Sequence, residues 1–552
     1  MPDFLEHIFG QLQRAAHRLV LKELHADGVV RVTASELLAQ VESARAFVLR
    51  AGLRPGDRCA LLGPNSIRWV AIDLALMAER IIVVPLYSRQ APAELVAMMK
   101  DCQPRLLLCS ETPLGDAAAF AWSDAPRCAL FEEALGAGAA RADIVVPPVQ
   151  RAEDDLVTII YTSGTSGEPK GVCLSVGNVN HILSCTTERL NQLMGATREP
   201  DRVFHYLPFN FAASWILMLS CLSRESALTL STDLNRLADE IRAASPNYFI
   251  NVPTFLERVR RGVEGALSKR GATLRNVFAK AQAAWERLHV GRGNFFDGVW
   301  VNLGRILIFS KIKARFGPHL RALVCGSAPL APGTQQFFLM LGIPVLQVYG
   351  LTETTGICTM DDPRQPVEPG RVGTAIPGIE MKLGEKEEIL VRGPNVFPGY
   401  WNHPEETVRV LQGGWFHTGD QGEVNVRGNW RITGRIKDVI ILNSGHNIAP
   451  EPVEEKLRTL IPQAQQIFLA GNGRGYLCAL VTGDVDSRDV QAALDRLNPG
   501  LPHYRQVRSF AVLRDAFTVE NGLLTVNGKL RRDAIAARYT GEISAMYQRK
   551  GA

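Results

Sequence analysis

The sequence predicts an α/β protein whose large N-terminal domain is built from layered sheets, followed by a smaller α+β domain. Three observations carry this reading. Short β-branched runs alternate with helical patterns over roughly the first 430 residues, as in chains that form largely parallel sheets. The chain has 552 residues, more than one hydrophobic core ordinarily holds. Around Gly434–Lys437 the pattern then changes, from Gly-punctuated short strands to a helix and two further strands.

In order along the chain, RCALLG (58–63) reads as a strand, WVAIDLALMAE (69–79) as an apolar helix and RIIVVPLY (80–87) as a second strand. A helical APAELVAMMKDC (91–102) and the strand RLLLCS (105–110) follow. ALGAGAARAD (134–143) is small and polar enough for a surface connection. FLERVRRGVEGALSKRGATLRNVFAKAQAAWERL (255–288) is long, helical and basic. EEILVRG (387–393) is a strand, and residues 414–450 form short strands separated by Gly turns. PEPVEEKLRTLI (450–461) is a helix opened by proline, and QIFLAG and YLCALVTG are strands. The boundary falls at 434, giving a large domain over 1–434 and a small one over 438–552.

Composition excludes several classes. Hydrophobic residues make up 46% and charged residues 21%, as in an ordinary globular protein. A net charge of +5 gives no argument for nucleic acid. Ten cysteines are scattered singly with no CxxC pair, which argues against a zinc site or a disulfide framework and fits a reducing cytoplasm. The N-terminus lacks the apolar core of a signal peptide, and FFDGVWVNLGRILIFSKI (295–312) is broken by Asp297, Asn302 and Arg305, so no spanning helix is expected.

LVTIIYTSGTSGEPKGV (156–172) carries the chemistry. An apolar strand leads into a hydroxyl- and glycine-rich loop that ends on Lys170, and a second apolar run, VCLS, follows. A Walker loop would open a helix with its lysine. Here the layout is strand–loop–strand, so phosphate must be held by backbone N–H groups, by the hydroxyls of Thr162, Ser163, Thr165 and Ser166, and by Lys170, with Gly164 and Gly167 shaping the turns.

This stretch resembles the phosphate loop of the adenylate-forming superfamily, which includes acyl-CoA synthetases, firefly-type luciferases and peptide-synthetase adenylation domains. Other segments resemble that family in the same order: GSAPL (326–330), QVYGLTETTG (347–356), HTGD (417–420), GRIKDVI (434–440) and NGKLRR (527–532). The resemblance implies activation of a carboxylate by MgATP to acyl-AMP and pyrophosphate, followed by attack of a thiol. It makes Glu353 the magnesium ligand, and it puts Thr352 on the α-phosphate and Tyr349 against the adenine, with Gly350 among the ATP-binding residues and Gly326, Ser327 and Ala328 forming the adenine-side loop. Asp420 would accept the ribose hydroxyls, and Arg435 would meet ribose or α-phosphate. Lys529 would bridge the substrate carboxylate and the α-phosphate. Residues 435–437 would be a hinge centred on Lys437, about which the small domain moves between half-reactions, and Ser444 and Gly445 would line the thiol's path. His417, a lone histidine beside a turn, reads as structural.

The acid's tail is expected beside VFHYLPFNFAASWILMLS (203–220), where Phe209, Phe211 and Trp215 are large and apolar, so a hydrophobic medium- or long-chain acid is favoured. Phe211 stands where acyl-CoA synthetases often carry the histidine of an LPxxH arrangement. The segment 255–321 resembles the long-chain acyl-CoA synthetase branch. The short stretch from Gly356 to Arg371 lacks the insertion typical of fatty acyl-AMP ligases, which favours CoA as acceptor. An acyl-carrier-protein ligase, an adenylating enzyme for a specialised acid, and a nucleotide-binding regulator without catalysis are the competing readings. Intact Lys170, Glu353, Asp420, Arg435 and Lys529 argue against the last. Between Phe255 and Arg321, fourteen Lys/Arg face four Asp/Glu. Val259, Val263, Leu267, Phe278, Trp285 and Leu288 fall on helical spacing beside them, a pattern suited to peripheral docking on anionic lipid.

Overall fold

The computed structural model describes residues 3–112, 114–115, 122, 125–136, 145–163, 169–195, 199–289, 291–525 and 528–548 (for Ser163, the backbone only). The chain divides into two compact units. The first comprises Met1–Glu380 with Val391–Phe416, and the second comprises Met381–Leu390 with His417–Ala552.

The first unit holds two sheets. In one, six strands run parallel in the order Leu19–Leu24, Ser226–Ser231, Asp201–His205, Tyr248–Asn251, Ala322–Cys325 and Val345–Tyr349. Short antiparallel strands extend both edges. In the other, Arg127–Leu130, Leu106–Cys109, Arg58–Leu62, Ile82–Leu86 and Leu156–Ser163 are parallel, and Pro169–Ser175 closes the edge antiparallel. The inner strands are mostly apolar because both faces are covered, whereas the edge strands Val29–Thr33 and Arg127–Leu130 carry exposed residues. The predicted α/β class with largely parallel sheets is therefore what forms.

Two helices are apolar on every side and correspondingly buried. Ile67–Ala78 touches strands of both sheets, and Ala212–Ser223 is buried along nearly its whole length. They meet where Trp215 Nε1 donates to Asp73 Oδ2 at 2.9 Å. The long basic segment forms two helices, Pro253–Ser268 and Ala272–His289. Val259, Val263, Leu267, Phe278 and Trp285 pack partly buried against the core of this unit. Of the six apolar residues expected to face lipid, only Leu288 is exposed, because their helical stripe is what anchors these helices to the body. Of the expected surface connection at 134–143, Ala134 and Leu135 instead end a short buried helix, and residues 137–143 lie outside the described residues.

The second unit contains a three-stranded sheet, Ala464–Ala470, Leu477–Gly483 and Val507–Leu513, covered by the helices Glu451–Leu460 and Ser487–Leu497. It also contains the paired segments 420–424 and 430–435 and the small ribbon Ile440–Ile441/Asn447–Ile448. The change of pattern at 434–437 lies inside this unit.

Candidate active site

The phosphate stretch is a β-hairpin, with Thr162 opposite Lys170 and Ser163 opposite Pro169. Its tip, carrying Gly164, Thr165, Ser166 and Gly167, lies outside the described residues, as does the side chain of Ser163. Lys170 is 9% exposed. It pairs with Glu406 and lies over the Tyr400 ring, 5.6 Å from the centroid. The next residue, Gly171, lies where a Cβ would meet Ile159 Cγ2 at 2.7 Å and Trp401 Cβ at 3.2 Å.

From Tyr400 the contacts continue to the second motif, because the phenol donates to Glu353 Oε1 at 2.9 Å. Burial and the neighbouring Glu353 carboxylate hold the Tyr400 pKa far above its ordinary value, so the hydroxyl keeps its proton. Glu353 lies in a short 3₁₀ turn, Thr352–Thr354, at the end of the strand Val345–Tyr349. Thr355 then adopts a left-handed conformation with φ 55°, its Oγ1 donating to the Asn395 carbonyl at 2.8 Å. The Asn395 amide donates to Ile357 O at 3.2 Å from a fully buried position, stapling the loop from its far side.

Gly326, Ser327 and Ala328 leave the end of the strand Ala322–Cys325, the parallel neighbour of Val345–Tyr349. Both loops thus leave the carboxyl ends of adjacent parallel strands, where open α/β sheets bind ligands. Ser327 holds φ 76°, an uncommon conformation for a residue with a Cβ. Gly350 and Gly326 are closely packed: a Cβ would meet Gly356 O at 2.5 Å and Val348 Cγ2 at 2.6 Å, respectively.

Gly356 links this loop to an apolar cavity. With φ 101°, it lies against the start of the helix Ala212–Ser223, so that a Cβ would stand 3.2 Å from Ala213 Cα. Ala213, Ile216 and Leu217 of that helix line the cavity together with Ile250, Val348 and Gly356. Phe209 and Trp215 occupy other surroundings. Phe209 stacks on His205 at 5.1 Å and packs on Trp69 at 5.1 Å, whereas Trp215 reaches Asp73. Phe211 is the residue from which the helix starts.

In the second unit Asp420 and Arg435 are register partners, and their side chains pair at 2.9 Å (Arg435 Nε to Asp420 Oδ1). Asp420 is buried. Gly419, at φ 69°, donates its N–H to Glu388 Oε1 at 2.9 Å, while Glu388 Oε2 meets His417 Nδ1 at 2.8 Å. His417 thus helps to hold the turn that presents Asp420. Lys437 reaches solvent, but desolvation of its ammonium and the adjacent Arg435 lower its pKa, while Asp438, Asp533 and Asp420 work in the opposite sense. Ser444 and Gly445 sit at the exposed tip of the ribbon, with Ser444 Oγ 3.0 Å from His446 Nδ1. Lys529 is exposed on a turn closed by Gly528 at φ 73°, and its N–H donates to Thr525 Oγ1 at 3.1 Å. Arg532, three residues on, donates to Glu454 Oε1 at 3.0 Å and to Oε2 at 2.5 Å, anchoring that motif to the helix Glu451–Leu460.

The sequence reading missed Glu406, Tyr400, Asn395 and Arg532. Arg532 is the last residue of the NGKLRR motif and could have been suspected, whereas Tyr400 lies in none of the recognised motifs. Glu406 lies 236 residues from its partner Lys170 and gives no local signal.

Glycine-shaped loops at the ends of adjacent parallel strands and a lysine hairpin linked through Tyr400 to Glu353 thus lie within the first unit. Residues 10–401 match the AMP-binding enzyme family, and residues 437–551 match the AMP-binding enzyme C-terminal domain. The chain belongs to this family of adenylate-forming enzymes. Among curated relatives, the long-chain-fatty-acid–CoA ligase FadD15 of Mycobacterium bovis is 26% identical over 95% of this chain and 94% of its own. Human long-chain-fatty-acid–CoA ligase 6 is 27% identical over 88% and 77%. Among solved structures, the adenylation domain of carboxylic acid reductase from Segniliparus rugosus, in complex with AMP, has a TM-score of 0.78 at 20% identity, covering 100% of this chain and 94% of that one. O-succinylbenzoate–CoA synthetase of Bacillus subtilis, solved with ATP and magnesium, gives 0.73 at 21% identity, covering 97% and 99%.

Adenylate-forming enzymes use ATP and Mg²⁺, and CoA ligases use CoA as cosubstrate. The residues present fit a magnesium ion held largely by phosphate oxygens. Glu353 offers one fixed carboxylate, and among the described residues no group of three His, Cys, Asp or Glu could hold a metal unaided.

Proposed function

We propose that this enzyme converts a hydrophobic, medium- or long-chain carboxylic acid to its CoA thioester. In the first half-reaction a carboxylate oxygen attacks the α-phosphorus of ATP, the bond to the β-phosphate oxygen breaks, and pyrophosphate leaves. In the second, the CoA sulfur attacks the acyl carbon, the bond to AMP breaks, and the thiol proton passes to solvent. The observation that carries the reading is the contact of Gly356 with Ala213: the loop bearing Glu353 abuts the helix that lines an apolar cavity. An acid seated there would present its carboxylate to the phosphate residues.

The first step joins two anions, so oriented positive charge matters more than a general base. Lys170 and the hairpin hydroxyls would hold the β- and γ-phosphates. Thr352 would position the α-phosphate, and Tyr349, Gly350 and the 326–328 loop would seat the adenine. Glu353 would hold magnesium, which when bound neutralises phosphate charge. Asp420 would accept the ribose hydroxyls beside Arg435, and Lys529 would bridge the reacting oxygens. Residues 435–437 act as the hinge between the half-reactions, and Ser444–Gly445 border the thiol path. The acyl tail occupies the cavity lined by Ala213, Ile216 and Leu217, in a helix that Phe211 starts and Trp215 ties to Asp73. The enzyme works in the cytoplasm and docks peripherally on membranes, where such acids dissolve. No helix among the described residues is long and apolar enough to cross one.

Pyrophosphate release from a panel of acids, with and without CoA, tests the reading. Release that rises with acyl chain length, with acyl-CoA formed only when CoA is added, is expected. Turnover confined to short or charged acids, or transfer only to a carrier protein, would overturn it.

A further inference from the structure

The segment after the two basic helices presents an apolar surface unlike the rest of the first unit. Phe295 is 83% exposed and Phe296 71%, and the two rings pack edge to face, 5.9 Å apart. Val299, one turn along the helix Phe295–Gly304, is 51% exposed. The helix then passes into a π-turn, Arg305–Phe309, which sorts its side chains sharply: Ile308 and Phe309 are buried, whereas Ile306 is 69% exposed. Side chains this bare stand clear of the body.

This surface is held in place. Asp297, 2% exposed, donates its N–H to Asn294 Oδ1 at 3.1 Å and accepts the Asn294 N–H at 2.9 Å. Its carboxylate pairs with Arg287 of the preceding helix, with Arg287 Nε at 3.1 Å. The helix therefore presents Phe295 and Phe296 from an anchored first turn, and the acid nearest them is already neutralised.

Positive charge surrounds the apolar face. Residues 286–315 carry six Lys/Arg and two Asp/Glu. Arg292, Arg305, Lys311 and Arg315 are exposed. Lys280, also exposed, lies over the Trp300 ring at 4.5 Å. Protruding aromatic and aliphatic side chains with a cationic surround suit a fluid anionic surface, into which rings insert while cations meet headgroups. A folded protein partner would instead need a complementary concave surface.

We infer that Phe295, Phe296, Val299 and Ile306, with Arg292 and Arg305, form the part of the first unit that inserts into an anionic phospholipid bilayer. The inference rests on the reading that the protein docks peripherally on membranes, and it names the surface that does so. The stripe Val259–Trp285 is excluded from that role by its packing against the core.

Co-sedimentation of the full chain with phosphatidylcholine vesicles, with and without phosphatidylglycerol, tests it. The wild-type chain is expected to bind the anionic vesicles and to weaken as salt rises. Phe295→Ala/Phe296→Ala should lower the partition coefficient about tenfold or more, as expected from losing two inserted rings. Arg292→Ala/Arg305→Ala should abolish the preference for anionic vesicles. Both double variants should keep the wild-type melting temperature and vesicle-free turnover of a soluble acid. Unchanged vesicle binding by Phe295→Ala/Phe296→Ala would overturn this surface and leave peripheral docking standing. Absence of binding by the wild-type chain would overturn docking itself. Concentration-dependent self-association lost in the Phe variant, without vesicle binding, would show that a second copy of the chain is the occupant and refute the lipid assignment.

Discussion

Glu406 holds the lysine of the phosphate hairpin: it accepts from Lys170 and, at the same time, from Arg409 one turn further along its own short helix. Burial works against the Glu406 charge, yet these two donors hold its carboxyl below the usual range. A lysine as buried as Lys170 needs a counter-ion, and Glu406 supplies one. On the proposed reading, a triphosphate would take Lys170 and leave Glu406 paired with Arg409.

If Lys170 holds phosphate as proposed, nucleotide affinity should depend on Glu406 and Arg409 with opposite signs. Glu406→Gln removes the competitor for Lys170 and should lower the KM for MgATP roughly three- to tenfold, a change on the order of 1 kcal/mol. Arg409→Ala leaves Glu406 only Lys170 and should raise that KM. ATP–pyrophosphate exchange measures both. If the two variants shift KM in the same direction, Glu406 is not a competing partner. If Lys170→Ala leaves ATP binding unchanged, the phosphate assignment itself fails.

Glu353 and Tyr400 form the second testable pair. Glu353→Ala should reduce adenylation by orders of magnitude and leave the melting temperature nearly unchanged, since a carboxylate in a loop adds little packing. Tyr400→Phe removes only the 2.9 Å donor that orients Oε1. Loss of such a supporting contact typically weakens metal binding about 10- to 100-fold. A magnesium titration of pyrophosphate release should therefore move to higher concentration in Tyr400→Phe, with the maximal rate largely retained. An unchanged magnesium dependence in both variants would refute the metal role.

Much of this was legible in the sequence because the signals are local. The hairpin announces itself by a β-branched run, a glycine-rich turn and a second apolar run. The alternation of apolar strands and helices fixes the parallel sheets. Which side of an all-apolar helix faces a cavity is not local. Trp215 looks like a pocket residue in sequence, yet Asp73, 142 residues away, takes its indole, and Ala213, Ile216 and Leu217 face the cavity. The exposure of Phe295 and Phe296 is likewise not local, since nothing in their sequence pattern marks which face of the helix the fold leaves outside. Glu406 and Asn395 act on motifs distant in sequence, and nothing near either residue marks it.

Lys529 and Lys437 are expected to serve different half-reactions. Lys529→Ala removes the charge proposed to bridge carboxylate and α-phosphate, so acyl-AMP formation should fall by orders of magnitude, lowering kcat together with kcat/KM. Thioester formation from supplied acyl-AMP should suffer much less. Lys437→Pro fixes φ at the proposed hinge and should have the reverse effect, with adenylation retained and thioester formation lost. Circular dichroism must first show both variants folded. Equal loss of both steps in Lys529→Ala would refute the two-conformation reading.

Asp73 makes stability depend on pH through the helix that lines the cavity. It is 1% exposed, and burial pushes its carboxyl from 3.8 up to about 7, with the Trp215 hydrogen bond opposing the rise. Among the described residues its Oδ1 has no hydrogen-bond partner. Between these two values the folded chain keeps a proton that the unfolded chain releases. Stability must then fall as pH rises from about 4 to about 7, and level off above that. Asp73→Asn preserves an acceptor for the indole and carries no charge at any pH. Its advantage over the wild-type chain should be smallest near pH 4 and grow towards pH 8, to at most ~4 kcal/mol, at about 1.4 kcal/mol per pH unit. Melting temperatures at pH 5 and pH 8 check this, and an equal difference between the two proteins at both would refute it. Trp215→Phe should act in the opposite sense. Without the indole donor the Asp73 carboxyl rises further, so the loss of stability should extend to higher pH, and acids that fill the cavity beside Ile216 should bind less tightly as the helix loses its tie.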